Sequence, residues 1–126
     1  MKKQVTLSRS EWLVMEHLWL QPHTLMELVA AMGKSVGWSK STVATMVRRM
    51  EEKNLVRFEE NGRTKTFYPT VSREEVAATE MNNLLQRAYR GSMGLMVSAM
   101  VQTNELTKED IDELYEILKK AEEATK

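Results

Sequence analysis

GWSKSTVATMVRRMEEKNLV, the stretch from Gly37 to Val56, sets apolar residues at helical spacing beside two adjacent arginines, Arg48 and Arg49. Laid out at about 100° per residue, Val43, Met46, Val47 and Met50 fall in one narrow stripe that must face a core. Ser41, Thr45, Arg48 and Glu52 fall opposite, flanked by Thr42 and Arg49 on one edge and by Lys40 and Ala44 on the other. Ser39 is placed to cap this helix, and Asn54 to stop it just after Lys53. A helix start rich in Ser, Thr and Lys reaches base edges while its free N–H groups and positive dipole end face phosphate. Arg is the side chain best shaped to grip phosphate or guanine with two hydrogen bonds. The same residues also fit a plain solvated face on which Arg48 pairs with Glu52 one turn on.

Beyond this helix the period changes. LVRFEE, the pair Asn61-Gly62 and RTKTFYP read as two short strands joined by a tight turn, because Asn-Gly readily adopts the positive φ angles such turns require. Leu55, Phe58, Phe67 and Tyr68 supply apolar surface, and Pro69 ends the second strand. The turn segment NGRTK places Arg63 and Lys65 at and just beyond the tip, where a wing touches the backbone beside a groove. Two basic elements in the right order for one docking geometry favour DNA over the solvated face.

Before Gly37, the pattern of a Ser or Thr followed three positions on by an acidic residue marks helix starts at Ser8 with Glu11 and at Thr24 with Glu27. The first helix is expected from about Arg9 to Leu20, burying Trp12, Met15, Leu18 and Trp19 and ended by Pro22. The second is expected from about Leu25 to Met32, burying Leu25, Leu28, Val29 and Met32 and stopped by Gly33, with a short extended piece at Val36 to Trp38. Helix, helix, extended piece, helix and hairpin is the order of a winged helix-turn-helix domain.

After the hairpin, Ser72 with Glu75 and Thr107 with Asp110 mark two further starts. Val76, Met81, Leu84, Leu85, Ala88 and Tyr89 form a stripe, a break is expected over Arg90-Gly91-Ser92-Met93-Gly94, and further helices over Leu95 to Val101 and Lys108 to Ala124. Three helices at most are too few to bury these apolar faces alone, so a two-fold dimer is expected. Its candidate contacts are Met81, Leu84, Leu85, Tyr89, Leu95, Met96, Met100, Ile111, Leu114 and Leu118. The fold expected is mainly α with a small β-hairpin wing: a winged-helix DNA-binding domain over residues 1–71 and a helical dimerisation domain over residues 72–126.

Composition narrows the function classes. The 126 residues are 42% hydrophobic and 29% charged, the balance of a folded chain. Cysteine is absent, which removes disulfides, thiolate metal sites and Cys nucleophiles together. Net charge is zero, yet residues 1–70 hold 11 Lys+Arg against 7 Asp+Glu, net +4, and residues 71–126 hold 7 against 11, net −4. A basic head on an acidic arm suits nucleic-acid binding. No apolar run approaches the roughly 18 residues of a spanning helix, so no membrane insertion is expected. The start, MKKQVTLSRSEW, has two lysines but no apolar stretch behind them, so it does not read as a secretory signal and a cytoplasmic address is expected. His17 and His23 lack an acidic partner at ligand spacing, so neither a metal nor a cofactor is expected. The ten methionines, among them Met93, Met96 and Met100, read as core or interface filling. Phosphate-cradling Gly loops, nucleophile motifs and paired carboxylates are missing, so no enzyme is expected.

With these residues in view, the chain resembles the BlaI/MecI/CopY family of bacterial repressors, which takes in regulators of penicillin and methicillin resistance. The resemblance rests on LSRSEWLVMEHLW from Leu7 to Trp19, on the opening stretch, on GRTKTFYPTVS from Gly62 to Ser72, and on AYRGSMGLMV in the tail. It implies a dimeric winged-helix repressor that binds a palindromic operator through its N-terminal domains and dimerises through its C-terminal helices. Carried over by position, the DNA-facing residues fall on Ser41, Thr42, Ala44 and Thr45, with Arg63 and Lys65 on the wing. Ala44 departs from relatives that carry a basic side chain there, and fits instead a thymine methyl or close approach. In penicillin-responsive members a membrane sensor protease leads to cleavage of an Asn-Phe bond, which by alignment falls at Ala99-Met100; no Asn-Phe pair exists in this chain. Copper-responsive members carry C-terminal cysteines, and this chain has none. A winged-helix module that docks onto another protein is the rival reading.

Overall fold

The computed structural model describes residues 5–125; Lys2 and Lys3 of the start segment lie outside them. The chain forms two compact units, Met1–Asn82 and Asn83–Lys126. In the first, α1 (Arg9–Leu20), β1 (His23–Thr24), α2 (Leu25–Val36), α3 (Lys40–Glu52), β2 (Val56–Asn61) and β3 (Thr64–Pro69) lead into α4 (Arg73–Tyr89). The antiparallel sheet has the order β1-β3-β2. The break expected from the domain reading, between residues 71 and 72, falls just before α4, whereas the contacts of the first unit continue along α4 as far as Asn82.

Local chemistry sets most of these boundaries. Ser8 and Glu11, Thr24 and Glu27, and Thr107 and Asp110 each close a reciprocal cap, so that two orphan backbone donors are satisfied at each start. At the fourth, Ser72 accepts from the Glu75 amide but gives its hydroxyl to the Glu75 carboxylate, a one-way cap. The end of α3 follows the Schellman pattern: the Asn54 N–H reaches the Glu51 carbonyl and the Leu55 N–H the Met50 carbonyl. Asn54 takes φ 62° there, which delivers Leu55 to the core beside Met50.

Two expectations are corrected. Gly33 does not stop α2; the helix continues to Val36 and turns at Gly37, whose φ of 72° is the left-handed conformation that a Cβ disfavours. Val36 to Trp38 is not a strand either. The extended piece lies earlier, at His23–Thr24, where Pro22 has ended α1 and the extended Thr24 cap has yet to begin α2; His23 pairs with Phe67 and Thr24 with Thr66.

The core of this unit is Val14, Met15, Leu18, Leu28, Met32, Val43, Val47 and Met50, with Leu55, Val56 and Phe67 from the strand side. Trp12 and Trp19, expected inside, are half-buried, and Val14 takes the central place on α1. In the second unit, α4 gives way over Arg90 to Ser92, with Arg90 and Gly91 both at positive φ. Met93 and Gly94, expected within the break, belong to α5 (Met93–Thr103); α6 is Lys108–Ala124. Neither α5 nor α6 contains a buried residue.

Among the described residues one charged side chain is buried. Glu11 is 3% exposed, accepts from the Ser8 amide at 2.8 Å, and meets Lys53 Nζ at 2.7 Å, tying α1 to the end of α3. Burial pushes its carboxyl up, but the hydrogen bonds from Lys53 and Ser8 outweigh it and hold the group below the ordinary carboxylate range. A depressed folded-state value contributes stability that is present above the unfolded value of about 4.3 and lost as pH falls through the folded one. Glu11→Gln is therefore expected to lower stability near neutral pH by about 1–2 kcal/mol and to flatten the acid-side loss, as read by thermal unfolding across that range.

Candidate nucleic-acid interface

The surface begins with the turn between α2 and α3. Gly37 reverses the chain, Trp38 packs back against the core, and Ser39 caps α3 by accepting from the Thr42 amide at 3.2 Å. The Ser39 hydroxyl also shares hydrogen bonds with the hydroxyls of Thr42, at 3.0 Å, and Ser41, at 3.2 Å. Three hydroxyls thus cluster at the positive end of the α3 dipole. Burial of Val43, Val47 and Met50 turns the opposite face outward: Lys40, Ser41, Thr42, Arg48 and Arg49 are exposed, and Ala44 and Thr45 are half-exposed.

The cations are unpaired. Among the described residues the ion pairs are Lys53 with Glu11, Arg57 with Glu59 and Arg73 with Glu16, so Lys40, Arg48, Arg49, Arg63 and Lys65 have no carboxylate partner. The pairing of Arg48 with Glu52 that the helical spacing allowed does not form. A face of free guanidinium groups has the chemistry to neutralise phosphate.

The wing differs in detail from its expected form. Asn61 is the last residue of β2, opposite Thr64, so Gly62 and Arg63 make the two-residue turn. Only Gly62, at φ 67°, is left-handed; Asn61 closes the ladder, its carbonyl accepting from the Thr64 hydroxyl at 2.9 Å. This places Arg63 at the tip, exposed. Lys65 is set back on β3 opposite Glu60, with its ammonium 4.1 Å from the centre of the Phe58 ring. That cation–π contact makes Lys65 a weaker phosphate ligand than Arg63.

The sequence reading missed the junction of wing and α2. Thr24, Leu25 and Met26 line a cleft of about 310 Å³ with Arg63, Thr64, Lys65 and Phe67. The two extended residues after Pro22, His23 and the Thr24 cap, were its only local signal, and their partner strand lies about forty residues on, beyond the reach of periodicity. Of the two histidines, His23 pairs with Phe67 in the sheet, its Nδ1–H donates to the Gln21 carbonyl at 2.7 Å, and its ring packs edge-on to His17. Among the described residues no three ligand-type side chains gather around a point.

A helix-turn-helix whose exposed helix and following wing both present cations defines a winged-helix DNA-binding protein. The chain belongs to the penicillinase repressor family, whose profile matches residues 7–120. The penicillinase repressor of Bacillus licheniformis is 29% identical over 119 residues, 94% of this chain and 93% of the relative. The methicillin resistance regulatory protein MecI of Staphylococcus aureus is 23% identical over 119 residues, 94% of this chain and 97% of that one. The solution structure of the DNA binding domain of the repressor BlaI matches with a TM-score of 0.53 at 26% identity, covering 60% of this chain and 93% of that chain.

The wing's geometry is testable without DNA. A Cβ on Gly62 meets nothing within 4 Å, so its positive φ is the whole constraint. Gly62→Ala is expected to cost about 1 kcal/mol in denaturant unfolding through backbone strain alone.

Proposed function

We propose that the protein is a homodimeric repressor that lays α3 in the major groove of each half of a palindromic operator, with the wing against the flanking backbone, and so blocks transcription in the cytoplasm. The observation that carries this reading is the set of unpaired cations, Arg48 and Arg49 on α3 and Arg63 at the wing tip, on the two elements that a winged helix brings to DNA. Ser41, Thr42, Ala44 and Thr45 are assigned to base edges, and Lys40, Arg48, Arg49, Arg63 and, more weakly, Lys65 to phosphate or guanine.

Uncovered apolar surface supports the dimer. Met81, Leu84, Leu95, Met100, Ile111, Leu114 and Leu118 are exposed, Leu118 by 65% and Leu95 by 58%, while Leu85, Tyr89 and Met96 are half-buried. A single chain does not keep a row of Leu, Ile and Met in water at no cost; a second copy removes it.

The reading includes release of DNA on a signal, with an upstream sensor protease as one route. The Ala99-Met100 bond lies inside α5, where backbone hydrogen bonds hold it out of the extended form that a protease binds. A reversible loosening of the tail interface needs neither cleavage nor cysteine.

Duplexes selected from a random DNA pool and titrated at two salt concentrations test the reading. A pseudo-palindrome bound with a steep salt slope supports it, and a flat slope with no enriched motif favours the protein-docking module. Arg48→Ala and Arg63→Ala are each expected to weaken the selected duplex by about 1–3 kcal/mol, with thermal unfolding unchanged because both side chains are exposed. Charged residues at two of Leu84, Leu95 and Leu118 are expected to give a monomer by analytical ultracentrifugation, with affinity for the paired site lowered by about a hundredfold.

A further inference from the structure

Methionine is distributed unevenly between the two units. In the first, Met15, Met32 and Met50 are fully buried, and Met46 packs half-buried against the same core. In the second, Met93 is 69% exposed and Met100 50%, and Met96 is half-buried. Met93, Met96 and Met100 recur at positions i, i+3 and i+7 of α5, within about 60° of its circumference, so three thioethers share one face. No charged residue occurs from Met93 to Thr103, and Leu95, Val97 and Val101 are exposed as well. Ser98 and Gln102 fall on the opposite side of the helix, and the Thr103 hydroxyl is already given to the Ala99 carbonyl at 2.9 Å.

The chemistry of that face is set by what the chain lacks. With no cysteine present, an oxidant meets no thiol, and the polarisable thioether is the softest side chain it finds. Sulfoxide formation turns a flexible apolar group into one with a strongly polar acceptor oxygen. Surface that leaves water readily as a thioether does so at a cost as a sulfoxide, unless a donor meets the new oxygen. The methionine face of α5 offers no free side-chain donor of its own.

We propose that Met93, Met96 and Met100 form an oxidation site, at which a two-electron oxidant of the hypochlorous acid class converts thioether to sulfoxide and so holds the protein as a monomer that leaves its operator. The inference rests on the dimeric-repressor reading. In the step, a sulfur lone pair attacks the chlorine of hypochlorous acid and hydroxide departs. Water then adds to the chlorosulfonium sulfur, chloride leaves, and two protons are lost, one of which neutralises the hydroxide. Sulfur gives up two electrons, chlorine takes them, and the net products are sulfoxide, chloride and one proton. The proposed dimer covers Met96 and Met100, so reaction there proceeds on free monomer in exchange with dimer, and each oxidised chain is withdrawn from the equilibrium. The buried methionines of the first unit keep the DNA-binding head intact meanwhile.

The test treats the full chain with a few equivalents of hypochlorous acid and quenches it with free methionine. Samples go to peptide mass spectrometry, to analytical ultracentrifugation, and to titration against the duplex selected by the wild type and against a single half-site. Peptides holding Met93, Met96 and Met100 are expected to gain oxygen before those holding Met15, Met32 and Met50. The dimer dissociation constant is expected to rise by at least about tenfold, and affinity for the paired site to fall with it, while single half-site affinity changes by about twofold or less. Repair by the two methionine sulfoxide reductases is expected to reverse both losses. The variant combining Met93→Leu, Met96→Leu and Met100→Leu is measured against its own untreated form and is expected to shift by about twofold or less, although the exposed Met26 and Met81 are still oxidised in it. Sulfoxides at the three positions with dimerisation unchanged overturn the inference. So does a variant that responds as the wild type does, or a repaired protein that stays monomeric; where the variant does not fold, the repair experiment decides. An untreated wild type that is monomeric at every concentration fails the dimeric reading itself, before any oxidant is added.

Discussion

Val43, Val47 and Met50 leave water together, in the same core as Met15 and Leu18 of α1 and Leu28 and Met32 of α2, and each such side chain stabilises the unit by about 1.5–3 kcal/mol. Because these three sit on one stripe of α3, their burial fixes the helix in rotation as well as in place. The hydroxyls of Ser41 and Thr42, which share hydrogen bonds with the Ser39 hydroxyl, and the guanidinium groups of Arg48 and Arg49 are then turned outward. The left-handed Asn54 that ends α3 returns Leu55 to the same core, which starts β2 and brings the wing beside the helix. Surface chemistry here is a by-product of core geometry.

Charge follows a second rule. Lys53, Arg57 and Arg73 each have a carboxylate within reach: Lys53 neutralises the buried Glu11, Arg57 lies against Glu59 and the Tyr68 ring, and Arg73 lies against Glu16 and the Trp19 ring. Arg48, Arg49 and Arg63 keep their charge available. Residue type does not separate these groups, and neither does spacing along the chain. Arg48 and Glu52 are suitably placed on one helix and do not pair, whereas Lys53 and Glu11, forty-two residues apart, do. Of the three pairs, only that of Lys53 with Glu11 has a nearly dry carboxylate, which gains a great deal from the cation that reaches it; the exposed pairs of Arg57 with Glu59 and Arg73 with Glu16 gain little once side-chain entropy and solvent screening are counted.

The tail shows the opposite balance to the head. Its helices carry strong apolar stripes, yet Tyr115 is 70% exposed and α5 and α6 have no residue removed from water. These exposed stripes are the observation on which the proposed dimer rests. The start of α6 and the break near Arg90 could be read directly, since capping boxes and positive-φ residues are decided within a few residues of chain, whereas α5 begins at Met93, two residues before the expected Leu95.

Sequence alone determined what depends on short range: helix starts, the apolar stripe of α3, the existence of the hairpin, the polar residues on the exposed face, and membership of a recognisable family. Tertiary structure decided what depends on partners distant in the chain. It moved the extended piece from Val36–Trp38 to His23–Thr24, because a strand needs a ladder and β3 is on that side. It carried α2 through Gly33, where nothing required a left-handed turn, to Gly37, where the chain had to reverse. It shifted the hairpin turn by one residue, which put Arg63 at the tip and drew Lys65 back over Phe58. It also gave Trp12 and Trp19 partners on and just before α4 in place of a seat in the core. The division has one physical cause: capping and periodicity are settled by neighbours within a turn or two, whereas strand pairing, ion pairing and burial are settled by whichever residues the folded chain brings alongside.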